Sequence, residues 1–354
     1  MRILITGNMG YVGPAVIRRL RESYPKIKLI GYDMGYFASC LTASPFLPEC
    51  RVDVQHLGDV RSIDPAVLDG VDAIIYLAAI SNDPMGATFE KVTWDVNCRA
   101  AVHLARNARE RGVRRFIFAS SCSVYGSAEQ VEKTEESALN PLTAYAKSKI
   151  GAEEELGKLA DSGFGVTSLR FSTACGMSER LRLDLVLNDF VASAVTAGRI
   201  TILSDGTPWR PLIHVLDMAR AIEWALGRTS QDGGEFLAIN VGSDEWNYQV
   251  RDLAEAVAQV VTGVRVDINR DAQPDKRSYR VSFEKFRRLA KAYQPQVDLR
   301  TAIEDLIQGL QRMNFRDSDF RQSHFMRLNV LKQLKQDGHL TEDLSWSGFS
   351  KCIS

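Results

Sequence analysis

Residues 2–13 read RILITGNMGYVG, in which an apolar run of strand length leads into a loop with Gly7, Gly10 and Gly13 at GxxGxxG spacing. A helical pattern of apolar residues follows over Tyr11–Glu22. Glycines in such a turn let backbone N–H groups approach a pyrophosphate, and the helix N-terminus adds hydrogen-bond donors and partial positive charge. The stretch therefore predicts a strand–loop–helix unit that binds the phosphates of a dinucleotide. A tight turn that needs glycine but holds no ligand is the alternative.

A second apolar run, Lys28–Tyr32, leads into Asp33, twenty residues beyond Gly13. An acidic residue at this place accepts a hydrogen bond from the 2′-hydroxyl of the NAD ribose. Its carboxylate would repel the 2′-phosphate of NADP, and no basic residue follows directly in Met34–Phe37. Asp33 therefore favours NAD over NADP. The alternative for Asp33 is the cap of a turn or helix.

Apolar runs of strand length alternate with helical patterns through the first two thirds of the chain. The predicted strands are Arg2–Thr6, Lys28–Tyr32, Ala73–Leu77, Arg115–Ser120, Gly165–Arg170 and Glu235–Asn240. The predicted helices among them are Tyr11–Glu22, Val92–Arg111 and Thr143–Leu159. Short buried strands that alternate with helices form a parallel sheet covered on both faces, and right-handed crossovers make it doubly wound. The predicted fold class is α/β, a Rossmann-type doubly wound parallel sheet with its ligand at the carboxyl ends of the strands.

The pattern becomes less regular after residue 170, where helical stretches interleave with short strands and loops. We expect an NAD-binding Rossmann domain over residues 1–170 with returning segments near 212–242. A smaller, interleaved α/β domain, mainly substrate-binding, is expected over 171–312. Residues 313–354 are expected to form a helical C-terminal extension, because apolar residues recur there at helical spacing. That extension could cover a neighbouring subunit, pack on its own subunit, or be partly disordered.

The composition excludes several classes of partner. The chain has 354 residues, 45% of them hydrophobic, with 44 basic and 44 acidic residues. A zero net charge provides no long-range field that attracts nucleic acid or an anionic membrane, so neither is expected as a partner. The six cysteines lack metal-type spacing, so no metal site is expected. Without a signal-peptide pattern or an apolar run of membrane-spanning length, we expect a cytoplasmic protein with reduced thiols.

A tyrosine and a lysine open the third predicted helix. Tyr145 and Lys149 are four residues apart and share one helix face. A free phenol has a pKa of about 10; a nearby ammonium or an oxidised nicotinamide ring lowers it, which makes Tyr145 a usable base near neutrality. The preceding strand ends in SSCSVYG at 120–126, which brings Ser121 to the same edge of the sheet. The alternatives are a half-buried tyrosine with a solvated lysine, and a serine that caps a turn.

Taken together, these motifs resemble those of the extended short-chain dehydrogenase/reductase family, which contains the nucleotide-sugar epimerases and dehydratases. The resemblance covers about residues 1–312. The matching pieces are TGNMGYVG at 6–13, Asp33, Gly58-Asp59-Val60-Arg61, Leu77-Ala78-Ala79, Asn97, SSCSVYG at 120–126, YAKSK at 145–149, and Arg210-Pro211-Leu212-Ile213-His214-Val215 with Asp217. Several motifs in this order are specific for the family but not for one reaction.

The resemblance implies NAD as the cofactor and assigns roles to individual residues. Ser121, Tyr145 and Lys149 are implied to be catalytic. The residues implied to bind the cofactor are Gly7, Met9, Gly10, Tyr11, Val12, Gly13, Asp33, Asp59, Val60, Leu77, Ala78, Ala79, Asn97, Ser120, Tyr145 and Lys149. The candidates for binding a nucleotide-diphosphate sugar are Ser81, Ser121, Cys122, Ser123, Thr173, Arg180, Arg182, Asn188, Arg210 and Arg277.

Two departures from the family pattern narrow the chemistry. In the 4,6-dehydratases of this family, an Asp-Glu pair follows the catalytic hydroxyl and drives the loss of water. Cys122 and Ser123 stand there instead; they do not replace a general acid and a carboxylate base at neutral pH, so dehydration by that route is disfavoured. Cys122 is either an inert core residue or a substrate contact. In the galactose-epimerase branch an asparagine contacts the substrate phosphate, whereas this chain has Thr173.

The stretch GMSERLRLDLVLNDF at 176–190, together with Pro274-Asp275-Lys276-Arg277, is similar to a subgroup that acts at C4 of nucleotide-linked heptoses and hexoses. Some members of that subgroup are epimerases and some are 4-dehydrogenases. Arg180, Arg182 and Arg277 are candidates for binding diphosphate or sugar hydroxyls. Their alternative is salt bridging at a domain boundary.

The favoured hypothesis is an NAD-dependent nucleotide-sugar 4-epimerase. Tyr145 takes the proton of the C4 hydroxyl while hydride passes to NAD; the transient 4-keto sugar turns over in the cleft, and hydride returns to its opposite face. A 4-dehydrogenase or 4-ketoreductase with a net redox change is the alternative. A 4,6-dehydratase or a non-catalytic NAD-sensing protein is less favoured. The resemblance also implies a homodimer, paired through the helices predicted over Val92–Arg111 and Thr143–Leu159.

Overall fold

The computed structural model describes residues 1–126, 132–269, 271–272 and 277–348. Pro274, Asp275 and Lys276 of the subgroup motif therefore lie outside the described residues. In chain order the strands are β1 (Arg2–Thr6), β2 (Lys28–Asp33), β3 (Val54–Leu57), β4 (Ala73–Tyr76), β5 (Arg115–Ser121), β6 (Gly165–Phe171), β7 (Thr173–Cys175), β8 (Arg199–Ile202), β9 (Trp209–His214), β10 (Phe236–Val241), β11 (Asn247–Gln249) and β12 (Arg265–Ile268).

Helices separate many of these strands, whereas short 3-10 turns join β2, β3 and β4. In chain order the helices are α1 (Gly13–Ser23), α2 (Asp83–Thr88), α3 (Glu90–Trp94), α4 (Ala101–Glu110), α5 (Ala144–Gly157), α6 (Val186–Ala197), α7 (Val215–Gly227), α8 (Val250–Val260), α9 (Glu284–Leu289), α10 (Leu299–Arg312) and α11 (Arg327–Gln336). A π-helical segment, Asp95–Ala100, joins α3 to α4. The helix predicted over 92–111 thus begins two residues earlier and contains this wider turn.

In the described part of the chain, a seven-stranded sheet has the order β10-β6-β5-β4-β1-β2-β3. Each neighbouring pair in it is parallel. The predicted doubly wound parallel sheet is confirmed, with one more strand than the sequence predicts. The additional strand β3 is at the edge and has no fully buried residue, so it lacks the apolar run by which the other strands are recognised.

Both faces of the sheet are covered because successive side chains of a strand point to opposite faces. In β1, Ile3 and Ile5 join an apolar core with residues of α1 and α7. Leu4 joins a separate core with residues of α4 and α5. Complete burial of each such side chain contributes about 1.5–3 kcal/mol. The core therefore holds β1 in the middle of the sheet, with the following glycine loop at its carboxyl edge.

A second group of elements lies beyond the carboxyl end of β6. Strand β7 begins two residues after β6 ends and pairs with β9 in a small sheet that also contains β11. Apolar side chains of α6, α8 and α10 form one core there. Strand β8 pairs in parallel with β12 beside this core.

The C-terminal extension packs on its own subunit. Phe320 and Phe325 enter the core of α6, α8 and α10. Leu331, Leu340 and Leu344 enter another cluster, which includes residues after β4 and in α2. The extension thus connects the two parts of the molecule. None of the helices within the described ranges has the length and apolar character needed to cross a bilayer.

Candidate active site

The glycine loop is shaped by close backbone packing. Gly7 has φ +73°, and a Cβ there would lie 2.4 Å from the backbone N of Ala78. A Cβ at Gly13 would lie 2.0 Å from the carbonyl oxygen of Asn8. The N–H of Gly7 donates to the carbonyl of Tyr32 over 2.8 Å. These contacts hold the loop against the ends of β2 and β4, where the N-terminus of α1 faces the space above the sheet.

That space is a cleft of about 1060 Å³. Its volume exceeds the usual upper range for a site that holds one drug-sized ligand. Of the residues predicted to bind the cofactor, the structure places these in the cleft wall: Gly7, Gly10, Tyr11, Val12, Asp33, Asp59, Val60, Leu77, Ala78, Ala79, Ser120, Tyr145 and Lys149.

Three residues predicted to bind the cofactor do not line the cleft but support its wall. Gly13 begins α1 in close packing against the loop. The backbone N–H of Met9 donates to the Asp33 carboxylate over 2.9 Å. The buried Asn97 amide accepts from the N–H of Ile80 and donates to its carbonyl. Asn97 therefore fixes the loop after β4 from behind.

Asp33 is fixed in place by two backbone donors. Its carboxylate accepts from Met9 and, over 2.8 Å, from the N–H of Gly35. Burial raises the pKa of Asp33, while these two hydrogen bonds and the charge of Arg180 lower it. The carboxylate thus lies at the end of β2, where the sequence places the contact to the adenosine ribose.

The predicted proton-transfer residues lie together in the cleft. Tyr145 and Lys149 are on α5, and Ser121 is the last residue of β5. Thr143 caps α5 by accepting from the N–H of Ala146 over 3.1 Å. The Lys149 ammonium lies 5.6 Å from the centroid of the Tyr145 ring and donates over 2.7 Å to the carbonyl of Ala119. The Ser121 hydroxyl accepts from the N–H of Ser123, so it also caps a turn.

The prediction of a lowered phenol pKa is wrong for the ligand-free protein. Burial raises the pKa of Tyr145 to about 12. The hydrogen bond with Ser121 and the charge of Arg182 lower it, whereas Asp83 raises it. Desolvation disfavours the phenolate more strongly than these two groups favour it. Tyr145 is therefore protonated at neutral pH before ligands bind.

The ammonium of Lys149 is buried against the sheet. Burial lowers the pKa of Lys149 to about 7, although the charge of Glu153 raises it. Glu153, one helical turn further along α5, forms a buried ion pair with Arg170 at 2.7 Å and accepts from the Ser120 hydroxyl at 2.5 Å. This network joins α5 to β5 and β6 directly beneath the reacting groups.

The depressed pKa of Lys149 predicts a pH-dependent stability. Between pH 7 and the ordinary lysine value of 10.5, the unfolded chain holds a proton that folded Lys149 has released, so stability rises with pH in this window. In Lys149→Met we expect a smaller rise in the free energy of unfolding between pH 7 and pH 9. Urea denaturation across this range measures it. The exposed neighbour Lys147, changed to methionine, is the control, and an equal rise in all three proteins would contradict the prediction.

Seven of the residues predicted to bind substrate line the same cleft: Ser81, Ser121, Ser123, Thr173, Arg182, Arg210 and Arg277. Arg182 donates to the Ser81 hydroxyl over 2.9 Å and pairs with Asp184 at 2.8 Å. Arg277 pairs with Asp83 at 2.8 Å. Within the described ranges, the Ser123 hydroxyl is buried and has no hydrogen-bond partner.

The structure does not bring Cys122, Arg180 and Asn188 into the cleft wall. The Cys122 thiol is buried and donates to the carbonyl of Arg170, which favours the inert alternative. Arg180 is buried in an ion pair with Glu49 at 2.8 Å, as in the salt-bridge alternative. The Asn188 amide is fully buried and bonds to Gly176 and to the Tyr11 hydroxyl. Their hydrogen-bonding groups are directed into the protein.

Other polar groups of the cleft have no role assigned from the sequence. Asp83 accepts from Thr143 over 2.7 Å and also pairs with Arg277, so it links α2 to the start of α5. Asp184 accepts from Asn82 over 2.7 Å. Arg327, in the C-terminal extension, also lines the cleft. The stretch from Ser81 to Asp83 follows a strand end and is rich in polar residues, which is a usable sequence signal. The extension has no comparable signal.

Comparison with known proteins agrees with this geometry. The model of the NAD dependent epimerase/dehydratase family matches residues 3–242. A UDP-glucose 4-epimerase of Corynebacterium glutamicum is 28% identical over 324 residues, which are 86% of this chain and 94% of that protein. A UDP-glucose 4-epimerase of Streptomyces lividans is 28% identical over 272 residues, 73% of this chain and 80% of that protein.

Among solved structures, MoeE5 in complex with UDP-glucuronic acid and NAD has a TM-score of 0.75 at 24% identity, and the match covers 88% of this chain and 99% of that one. This likeness confirms the Rossmann-type fold. The family match confirms the resemblance inferred from the motifs, and with it NAD as the cofactor. The chain belongs to the NAD dependent epimerase/dehydratase family, and it is an NAD-dependent enzyme of the extended short-chain dehydrogenase/reductase type.

Proposed function

We propose that this protein is a nucleotide-sugar 4-epimerase that uses NAD without consuming it. The observation that carries the proposal is the joint placement of Ser121, Tyr145 and Lys149 in the cleft that the glycine loop also lines. The residues that stand at the two positions of the dehydratase acid pair also support the proposal. Cys122 there is buried behind the wall, and Ser123 supplies only a hydroxyl.

The residues of the glycine loop fit the diphosphate of NAD, because Gly7 leaves no room for a side chain and α1 directs its N-terminus toward the cleft. Asp33 would hold the adenosine ribose. When bound, NAD supplies reversible hydride transfer at the sugar carbon. A positively charged nicotinamide ring near Tyr145 would favour the phenolate.

Tyr145 is proposed to take the proton of the C4 hydroxyl and to return it after the keto sugar has turned over. Ser121 hydrogen-bonds the reacting oxygen. When it is protonated, Lys149 places a positive charge 5.6 Å from the centroid of the Tyr145 ring, and a charge there favours the phenolate. Oxidation removes a proton from the C4 oxygen, and reduction returns a proton to the same oxygen. One tyrosine therefore serves both steps.

For the substrate we propose a nucleoside-diphosphate sugar. Arg210, Arg277 and Arg182 lie in the cleft wall and are suited to diphosphate and sugar oxygens. Ser81, Ser123 and Thr173 add hydroxyls to that wall. The size of the cleft accommodates this ligand beside the dinucleotide.

The proposal is tested by incubating the purified enzyme with candidate nucleotide sugars and following the anomeric protons by NMR. We expect a substrate and its C4 epimer to interconvert without accumulation of NADH. If a keto sugar accumulates with a stoichiometric rise in NADH absorbance, the protein is a 4-dehydrogenase or 4-ketoreductase instead. Interconversion with no added NAD would show that the cofactor is retained.

The position of Asp33 predicts cofactor selectivity. In Asp33→Asn we expect NAD affinity to fall about 10- to 100-fold, because a charged hydrogen bond to the ribose is lost. The preference for NAD over NADP should shrink, since the carboxylate that repels the 2′-phosphate is gone. Titration with each dinucleotide measures both effects. Asp69→Asn, at an exposed residue outside the cleft wall, is the control; an unchanged NAD/NADP ratio in Asp33→Asn contradicts the role.

We also propose the domain division inferred from the sequence, with NAD bound mainly by residues 1–170 and 212–242, substrate mainly by 171–312, and an added extension over 313–354.

A cytoplasmic homodimer is proposed as well. Trp94, 38% exposed where α3 meets the π-helical segment, provides an apolar surface on the helices expected to pair. Sedimentation of the full chain tests the dimer.

A further inference from the structure

The C-terminal extension places a buried arginine, Arg327, at the cleft. Arg327 begins α11, lines the cleft, and is only 1% exposed. Its guanidinium lies 4.2 Å from the centroid of the Phe37 ring. One nitrogen, Nη2, donates to the carbonyl of Arg180 over 2.9 Å. Within the described ranges the other terminal nitrogen, Nη1, is buried and makes no hydrogen bond.

Three other arginines, two in the cleft wall and Arg180 behind it, each have a carboxylate partner. Arg180 pairs with Glu49, Arg182 with Asp184, and Arg321 with Asp189. In the part of the chain that the structure describes, no such ion pair is present for Arg327. A buried cation without a counter-ion is costly to the folded protein. In agreement with this cost, burial lowers the pKa of Arg327 to about 10.

We propose that Arg327 binds a diphosphate oxygen of a ligand in the cleft, which supplies the missing counter-ion. The stacking on Phe37 and the bond to the Arg180 carbonyl fix the plane of the guanidinium, which leaves Nη1 as the donor for this contact. Phosphate is preferred to a neutral hydroxyl as the partner because only an anion offsets the buried charge. The diphosphate belongs either to NAD or to the nucleoside-diphosphate substrate, and the substrate source rests on the proposed function.

Other contacts hold the extension against the cofactor end of the cleft. Arg61, which pairs with Asp59 in the cleft wall, donates over 2.7 Å to the carbonyl of Asp343. The Trp346 indole donates over 2.8 Å to the carbonyl of Met34. The Tyr36 hydroxyl donates to the carbonyl of Leu344. These contacts fix residues 343–346 relative to the cleft.

The test compares Arg327→Met with wild type in two binding titrations, one with NAD alone and one with inorganic pyrophosphate added to the NAD-saturated enzyme. We expect affinity to fall about 10- to 100-fold in at least one titration, as for loss of a charge-assisted hydrogen bond. A loss with NAD identifies the cofactor's diphosphate, and a loss with pyrophosphate alone identifies the substrate's. Arg327→Gln, which retains a donor for the Arg180 carbonyl, serves if the methionine variant does not fold, with the same expectation.

The melting temperature of the ligand-free protein separates binding from a structural role. Because Arg327→Met removes an unpaired buried charge, we expect its melting temperature to be unchanged or higher, and its increase on adding ligand to be smaller. Arg316→Met, at an exposed residue of the same extension, is the control. Unchanged affinities in both titrations would overturn the proposal. These measurements do not require turnover, so they remain decisive if the proposed epimerisation is wrong.

Discussion

In Tyr145→Phe we expect epimerisation to fall about 10²- to 10⁴-fold, the usual contribution of a positioned general acid–base group. The change removes one oxygen atom and keeps the ring, so the packing of Tyr145 beside Gly86 is retained. NAD binding should remain because Asp33 and the glycine loop are untouched. Turnover is measured by NMR with a substrate in exchange with its C4 epimer, and NAD binding by titration.

The matched control is Tyr24→Phe, because Tyr24 is 38% exposed and lies outside the cleft wall. It should retain full activity. Activity of Tyr145→Phe within a few-fold of wild type, with NAD bound, would contradict the proposed role of the phenol. If turnover and NAD affinity fall together by the same factor, the tyrosine supports cofactor binding rather than proton transfer.

The central part of the fold could be predicted because local and long-range requirements agree there. The run Arg2–Thr6 is apolar on both faces, and glycines follow it where the backbone approaches β4. Strand β3 was missed because an edge strand needs no apolar run. The π-helical segment Asp95–Ala100 was missed because its residues have the same helical spacing as those around it.

Only some of the residues predicted for the site line the cleft. A motif fixes the place of a residue along the chain but not the direction of its side chain. Ser121 and Ser123 line the cleft, whereas Cys122 between them points into the core. Arg182 reaches the cleft, but Arg180, two residues earlier, pairs with Glu49 near Asp33. The pKa of Tyr145 is raised because distant parts of the chain bury the phenol. The four-residue spacing between Tyr145 and Lys149 therefore does not predict this pKa.

Gly7→Ala should abolish NAD binding and lower the free energy of unfolding by about 2–5 kcal/mol, the sum of left-handed backbone strain and overpacking. The added Cβ would lie 2.4 Å from the backbone N of Ala78. A backbone atom cannot rotate away, so the loop must leave the end of β4. The phosphate-binding N–H groups would move with it. Urea denaturation measures the loss of stability, and dinucleotide titration measures the loss of binding.

Gly112→Ala separates the two causes, because Gly112 has φ +77° but open space around its Cβ position. We expect only the backbone strain, about 1–2 kcal/mol, and unchanged NAD affinity. An equal loss of stability in both variants would mean that positive φ alone requires glycine at position 7. The close approach to Ala78 would then have no energetic role. A Gly7→Ala protein that binds NAD normally would show that the loop can form away from β4.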